Sequence, residues 1–460
     1  HLVGAQRRCA PTFCYIITPM RKQTKNKTTF LVIALVGILA VVGLAFLPPV
    51  QRKLNEIWTD IRFALNPPDE AVFVPNQQTP VDWMVTQTME ALLATPTVTP
   101  VPLDASTPTV TSTPLPPSVT LPGVVYVDQH NRWNYCGPAN LAMALNFWGW
   151  PGNRDDIAAV VKPGYNDPNV DFITRGEKDL NVMAYELGDF VNGETEYRAL
   201  GRYGGDRDLL RRLLVAGFPA VIEKGYFAHD TTGHVSWMGH YEFVTGYDDA
   251  SGTFLVQDAY DFGPNYRIPY DEFDQGWRAF NFLFYIVYPP EREEEVYAIL
   301  GNWGDPAWAG QRSLEVALRD TAALSDPMDQ YFAWFNVGTA HVQLMEYVDA
   351  ANAYDYAFQL YNGLQGDNYS RPYRMLWYQT GPYKAYYYSG RYQDVIDLAN
   401  LTLSSARTGP TLEESLYWRG LAYYAVGDVT SAYADIRQTV YLNPNFQAGW
   451  SIMQEWGITP

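Results

Sequence analysis

Of the three cysteines in the chain, Cys9 and Cys14 precede a hydrophobic run near the N-terminus, and Cys136 stands alone in everything after it. That body therefore has no second cysteine with which to close an intramolecular disulfide. A lone thiol is often just a small buried hydrophobe, so its surroundings decide what it is for. They read VVYVDQHNRWNYCGPANLAMALNFWGW, with apolar residues at helical spacing from Ala139 to Trp148 and Pro138 suited to a first helical turn. Cys136 thus falls at or just before a helix N-terminus, where aligned backbone dipoles favour a thiolate over a thiol. Gly137 lets backbone approach the sulfur and a bound carbonyl.

A nucleophilic cysteine needs a base, and of six histidines His240 has the most informative setting, GHYEFVTGYDD. Tyr241 to Tyr247 reads as a strand ending in a turn at Asp248 to Gly252. A second strand, TFLVQDAY, carries Asp258 near its end. Two strands joined in this way can bring His240 and Asp258 side by side, so that the acid fixes the tautomer and orientation of the imidazole. Gln129, seven residues before Cys136, can offer its side-chain amide to an oxyanion beside the Cys136 backbone N–H. Glu242 shares a strand face with His240, where it either raises the imidazole pKa or points to solvent. His229 and His234 lie in a Gly- and aromatic-rich stretch, GYFAHDTTGHVSWMGH, that reads as a substrate-facing loop or lid. The histidine spacings there match no zinc motif, so neither a metal nor a cofactor is expected. Trp133 and Tyr135 are either cleft-lining or core.

Together, Gln129, YCGPANLAMALNFWGW, GHYEFVTGYDD and FLVQDAY resemble the bacteriocin-processing-peptidase-like cysteine peptidases of the papain-like superfamily, over roughly residues 124–290. The resemblance implies an α+β fold in which a helix bearing the cysteine packs on an antiparallel sheet bearing histidine and acid. It implies Cys136 as nucleophile, His240 as general base, Asp258 as its orienting acid and Gln129 as oxyanion donor. The best-known members precede a transporter ATPase and remove double-glycine leaders in the cytoplasm. This chain has no phosphate-binding loop, so that leader specificity is not carried over. Three other readings stand beside the peptidase: a structural cysteine, a pseudoenzyme that binds peptides without cutting them, and the transpeptidase or amidase chemistry that the same residues support.

The elements that must present these groups are spread along a modular chain of 460 residues, long enough for two or three domains. The net charge of −18 is uneven: nine Lys/Arg face two acids up to Arg62, so the body beyond is more acidic still. Such a body repels phosphate backbones and excludes nucleic acid as a partner. Residues 1–27 read as a cytoplasmic tail. Met20 is a candidate true start, which leaves 1–19 possibly outside the native protein. Phe30 to Leu47 is free of charge, and 28–50 reads as a transmembrane anchor rather than a cleaved signal peptide. Basic residues before it place the following domains outside the cytoplasm, as a single-pass cell-membrane protein. A juxtamembrane segment, 51–94, leads to a Thr/Pro-rich linker at 95–122, too rich in proline for helix or sheet. The papain-like domain is expected at 123–290 and an all-α domain at 305–460.

In that last domain, SLYWRGLAYYAVGDVTSAYADIRQTVYLNPN resembles a tetratricopeptide repeat. Gly420 and Ala432 sit where helices would cross, Tyr423 and Ile436 fill between, Gly427 turns the chain and Pro444 ends the second helix. Weaker copies centre on Gly390 and on Gly338 with Ala350. Stacked repeats imply a surface for protein partners and an independently folding unit. The peptidase reading implies a peptide or protein substrate.

Overall fold

The computed structural model describes residues 72–76, 114–130, 132, 134–163, 179–229, 235–367, 369–406 and 411–459. The expected tail and anchor, most of the juxtamembrane segment and linker, Trp133 and His234 lie outside these residues. Among the described residues no helix is long and apolar enough to cross a membrane.

The elements run in order β1 (Ser118–Thr120), α1 (Cys136–Phe147), α2 (Arg154–Val161), α3 (Ala184–Glu194), β2 (Arg198–Arg202), α4 (Arg207–Val215), β3 (Ala220–His229), β4 (Val235–Asp248), β5 (Thr253–Gln257), β6 (Tyr266–Pro269), α5 (Tyr270–Arg278) and β7 (Phe284–Tyr288). The strands form one antiparallel sheet in the order β2-β7-β3-β4-β5-β6, with β1 pairing the far end of β4. Both faces of the sheet are covered. Successive residues of the central strands go to opposite cores: Val221 and Phe243 pack with Leu141 and Leu145 of α1, while Ile222 and Val244 pack with Leu210 and Leu214 of α4. The sequence RDLLRRLLV concentrates its leucines on one helical face, and Asp206 caps it by accepting from the Leu209 N–H at 2.8 Å.

The stretch expected to be a loop or lid is mostly strand. β3 runs on to His229, and β4 begins at Val235, paired with it. The glycines that suggested a loop instead make room for rings. Gly225 and Gly239 face each other across the pair. A Cβ on Gly225 would fall 2.4 Å from Trp237, and one on Gly239 would fall 2.8 Å from Phe280 and 3.0 Å from Tyr378. Glycine in a strand here marks close approach rather than a turn.

The chain then becomes all-helical: α6 (Glu293–Leu300), α7 (Pro306–Ala323), α8 (Pro327–Gln343), α9 (Tyr347–Gly363), α10 (Met375–Tyr378), α11 (Gly381–Tyr388), α12 (Tyr392–Ser405), α13 (Glu413–Ala425), α14 (Val429–Leu442) and α15 (Gln447–Glu455). Three helical hairpins, α8/α9, α11/α12 and α13/α14, share one turn geometry. Each reverses at a residue with positive φ: Met345 at 62°, Gly390 at 78° and Gly427 at 91°. Gly420 lies against Ile436, where a Cβ would approach to 3.0 Å, and one on Gly338 would meet the Tyr354 ring at 2.7 Å. Gly338→Ala is therefore expected to destabilise the protein by about 1–3 kcal/mol through overpacking. Gly363→Ala, whose added carbon meets nothing within 4 Å, is expected to be near neutral. Thermal unfolding of the two variants checks the contrast.

The helical part does not stand apart as expected. One apolar core joins Trp237, Phe280 and Leu283 of the sheet region to Phe332, Tyr354 and Tyr386 of the helices. Arg278 also pairs with Asp320 at 3.0 Å. The physical reason is composition: Trp237 of β4 and Phe280 of the turn after α5 stack on each other, and their remaining apolar surface is covered by Phe332 of α8 and Tyr378 of α10.

Candidate active site

Cys136 is the first residue of α1, and Tyr135, which precedes it, is fully buried core. The helix is locked to the histidine strand by Asn140, whose Nδ2 donates to the carbonyls of both Cys136 (2.9 Å) and Tyr241 (2.8 Å). Gly137 lets this happen, since a Cβ there would meet Val182 at 3.3 Å and Tyr241 at 3.4 Å. The site opens where β5 leaves β4. Phe243 and Gln257 form the last pair, Asp258 follows at once, and His240 lies three residues earlier on β4.

The structure brings Cys136, His240 and Asp258 together. His240 Nε2 lies 3.3 Å from Asp258 Oδ1, and the Cys136 thiol hydrogen-bonds the same imidazole. Because Nε2 faces the acid, Nδ1 is the nitrogen left for the sulfur. Asp258 is itself held by the backbone N–H groups of Tyr260 (2.6 Å) and Asp261 (3.0 Å), and the Tyr126 hydroxyl donates to its carbonyl at 2.8 Å. Gln129 is buried, and its backbone N–H donates to the Ala259 carbonyl at 2.8 Å, which ties it to the residue after Asp258. Its Oε1 has no hydrogen-bond partner among the described residues.

The electrostatics follow from these contacts. Burial alone would push the Cys136 thiol up. The hydrogen bond and charge of His240, helped by the N–H groups of Tyr241 and Gly137, outweigh it and hold the thiol below its ordinary value. Burial would lower the imidazole, but the Asp258 carboxylate and then Cys136 raise it to about 10. Asp258 is opposed by burial and held well below the usual carboxylate range by His240, the Tyr260 N–H and Lys224. Both shifts favour a thiolate beside an imidazolium.

Three surrounding features correct or extend the reading of the sequence. Glu242 does not face solvent: it is fully buried and paired with Lys224, itself buried and opposite His240 in the strand register. Glu223, on the other face, is buried, and burial with the charge of Cys136 keeps its carboxyl well above the usual range. A lysine and two acids set within the apolar runs of two paired strands were the available signal. The third feature comes from the helical part. Trp377 and Tyr378 touch both walls beside Cys136. Asn181 Nδ2 donates to the Trp377 carbonyl at 2.5 Å, the Tyr378 ring lies on Gly239, and Arg374 donates to Ser236 Oγ and to the Trp237 carbonyl. Nearby, Thr411 N–H donates to the Asp179 carbonyl at 2.7 Å, and Leu180 forms a bridge with Thr411. Cys136 retains 8 % exposure and His240 4 %. His229 ends β3 away from these three groups, and among the described residues no cluster of side chains could hold a metal ion.

Residues 122–284 match the Peptidase_C39 like family, so a C39-like cysteine-peptidase domain lies within the chain. Similar solved structures include a protein described as a C39-like peptidase from Bacillus anthracis (18% identity, covering 37% of this chain and 96% of that one, TM-score 0.29). Others are xylellain, a cysteine protease from Xylella fastidiosa (17%, 38% and 87%, TM-score 0.28), and the peptidase domain of the Streptococcus transporter ComA (13%, 37% and 98%, TM-score 0.24). No curated protein matches this sequence.

Proposed function

We propose that the chain is a membrane-anchored cysteine peptidase acting outside the cytoplasm, with its helical hairpins serving as tetratricopeptide-type repeats that recruit protein partners. The observation that carries the peptidase reading is that one imidazole, that of His240, touches both Cys136 and Asp258. In this reading the Cys136 thiolate attacks a peptide carbonyl. The Gln129 amide and the backbone at the start of α1 receive the oxyanion. His240 gives its proton to the departing amine as the acyl-thioester forms, then takes one from the water that releases the acid. Asp258 orients the ring and stays ionised throughout. Residues 28–50 would hold the chain in the bilayer, with the Thr/Pro-rich residues before β1 as a spacer; Ser118–Thr120 themselves belong to the sheet.

A second reading, a non-catalytic peptide-binding protein, is favoured by the low exposure of Cys136 and His240. Incubation with a complex peptide library, followed by mass-spectrometric mapping of new termini, separates the two. Wild-type protein is expected to generate cleavages absent from Cys136→Ala, and Asp258→Asn to generate them more slowly but measurably, since its task is to position His240. Identical peptide patterns for wild type and Cys136→Ala would leave the binding reading in place.

A further inference from the structure

Val72–Asn76, 45 residues before β1 by its Phe73, lies not on the sheet but on the helical hairpins. Its residues alternate as an extended strip does: Val72 and Val74 are exposed, Phe73 and Pro75 buried. The Phe73 ring, 5 % exposed, meets Phe358 of α9 edge-on at 5.0 Å and Tyr386 of α11 at 6.0 Å. Tyr361, Leu398 and Leu401 complete its surroundings.

The polar groups of the strip are gripped as well. Asn362 Nδ2 donates to the Phe73 carbonyl at 2.8 Å. The backbone N–H and side-chain Nδ2 of Asn76 both donate to Asp394 Oδ1, at 2.7 and 2.8 Å, and Nδ2 also reaches Asp397 Oδ2 at 3.4 Å. Asp394 is 2 % exposed, and its second oxygen accepts from Arg391 Nε at 2.8 Å. Arg391 is in turn fixed by two 2.8 Å hydrogen bonds to Asp355. A buried carboxylate is thus oriented in advance to accept from two donors on one residue. An aspartate in place of Asn76 could not donate from its side chain and would set charge against charge. Beside the strip lies an open recess of about 470 Å³, walled by Val72, Phe73 and Val74 on one side and by Asp397, Asn400, Leu401 and Ser404 of α12 on the other.

We propose that the surface holding this strip, across α9, α11 and α12, is a peptide-recognition site whose ligand class is an extended segment with an aromatic side chain and, three residues later, an asparagine. Val72–Asn76 is its resident ligand in cis. The proposal gives chemistry to the partner-binding role assigned above to the helical hairpins, and it is independent of whether Cys136 is catalytic. A segment already attached to the same chain competes at a high effective concentration, so a partner binds well only where the cis segment has been weakened or drawn away.

The test uses the full-length protein in detergent and a fluorescein-labelled peptide of the sequence EAVFVPNQQ, residues 70–78, read by fluorescence anisotropy. The Phe73→Ala/Asn76→Ala protein is expected to bind the peptide at least about tenfold tighter than wild type. A peptide carrying Asp in place of its asparagine should bind that protein at least about tenfold more weakly. Asn76→Ala alone, which leaves the Phe73 ring in place and guards against misfolding of the double variant, should be intermediate. Equal binding to wild type and both variants, no binding to either variant, or indifference to the Asp replacement would each overturn the proposal. A dimeric wild type that the double substitution converts to monomer would also overturn it, by showing that the segment is exchanged between copies.

Discussion

Alkylation of Cys136 by iodoacetamide is expected to set in at lower pH than for a free cysteine, and below about pH 8 to slow at least about tenfold in His240→Ala. The thiol is held below its ordinary value and the imidazole is raised to about 10. Both groups are therefore charged between the lowered thiol value and about pH 10. As pH falls through the lowered thiol value the sulfur gains its proton and the rate drops. As it rises through 10 the imidazolium loses its proton while the thiolate persists. Removing His240 takes away the opposing charge and leaves the burial, which moves the thiol up rather than back to the free value of about 8.5. Peptide mapping separates Cys136 from Cys9 and Cys14. A rate that begins only near the free-thiol pH, and is the same in His240→Ala, would mean that no ion pair exists and would remove the physical basis for a nucleophile here.

Lys224→Met is expected to cost about 3–5 kcal/mol of stability, as for other buried pairs deprived of one partner. Glu242 would then be left in an apolar setting beside Asp258, with its charge unanswered. Glu242 is fully buried and Lys224 nearly so, so neither can turn to water. The double variant Lys224→Met/Glu242→Leu should recover most of the loss, because it removes both charges together. Urea unfolding of the two single variants and the double variant gives the coupling directly. Single variants each within about 1 kcal/mol of wild type would show that water reaches the pair. The same lysine helps to keep Asp258 ionised, so the single variant should also shift the alkylation profile.

The parts of the site that come from short-range pattern were legible. Cys136 at a helix start, the turn that sends β4 into β5, and the placing of Asp258 just past β5 all follow from periodicity and turn residues. The β3/β4 extension was not. Its glycines carry the local signature of a loop, but Gly225 makes room for Trp237 across the pair and Gly239 for the distant rings of Phe280 and Tyr378. Asn140 sits inside the apolar run ANLAMAL as an apparent interruption, and its two carbonyl partners lie on different elements. In the hairpins, Gly390 and Gly427 announce their turns, whereas Met345 adopts the same left-handed backbone without any residue signal. Nothing in AVFVPN shows that the partners of Phe73 lie nearly 300 residues on, at Asn362 and Phe358.

Trp377 and Tyr378 lie well past residue 284, where the family likeness ends, yet they close both walls beside Cys136. The unit that is inherited and the unit that coheres are therefore different lengths of chain. A copy of residues 122–284 moved to another protein would carry the reactive groups but leave Trp237 and Phe280 bare to water, a new adhesive face. It would also lose the Tyr378 ring that lies on Gly239 and the Trp377 carbonyl that holds Asn181. Changes in α10 alone can thus alter the setting of β4, while Cys136, His240 and Asp258 stay as they are.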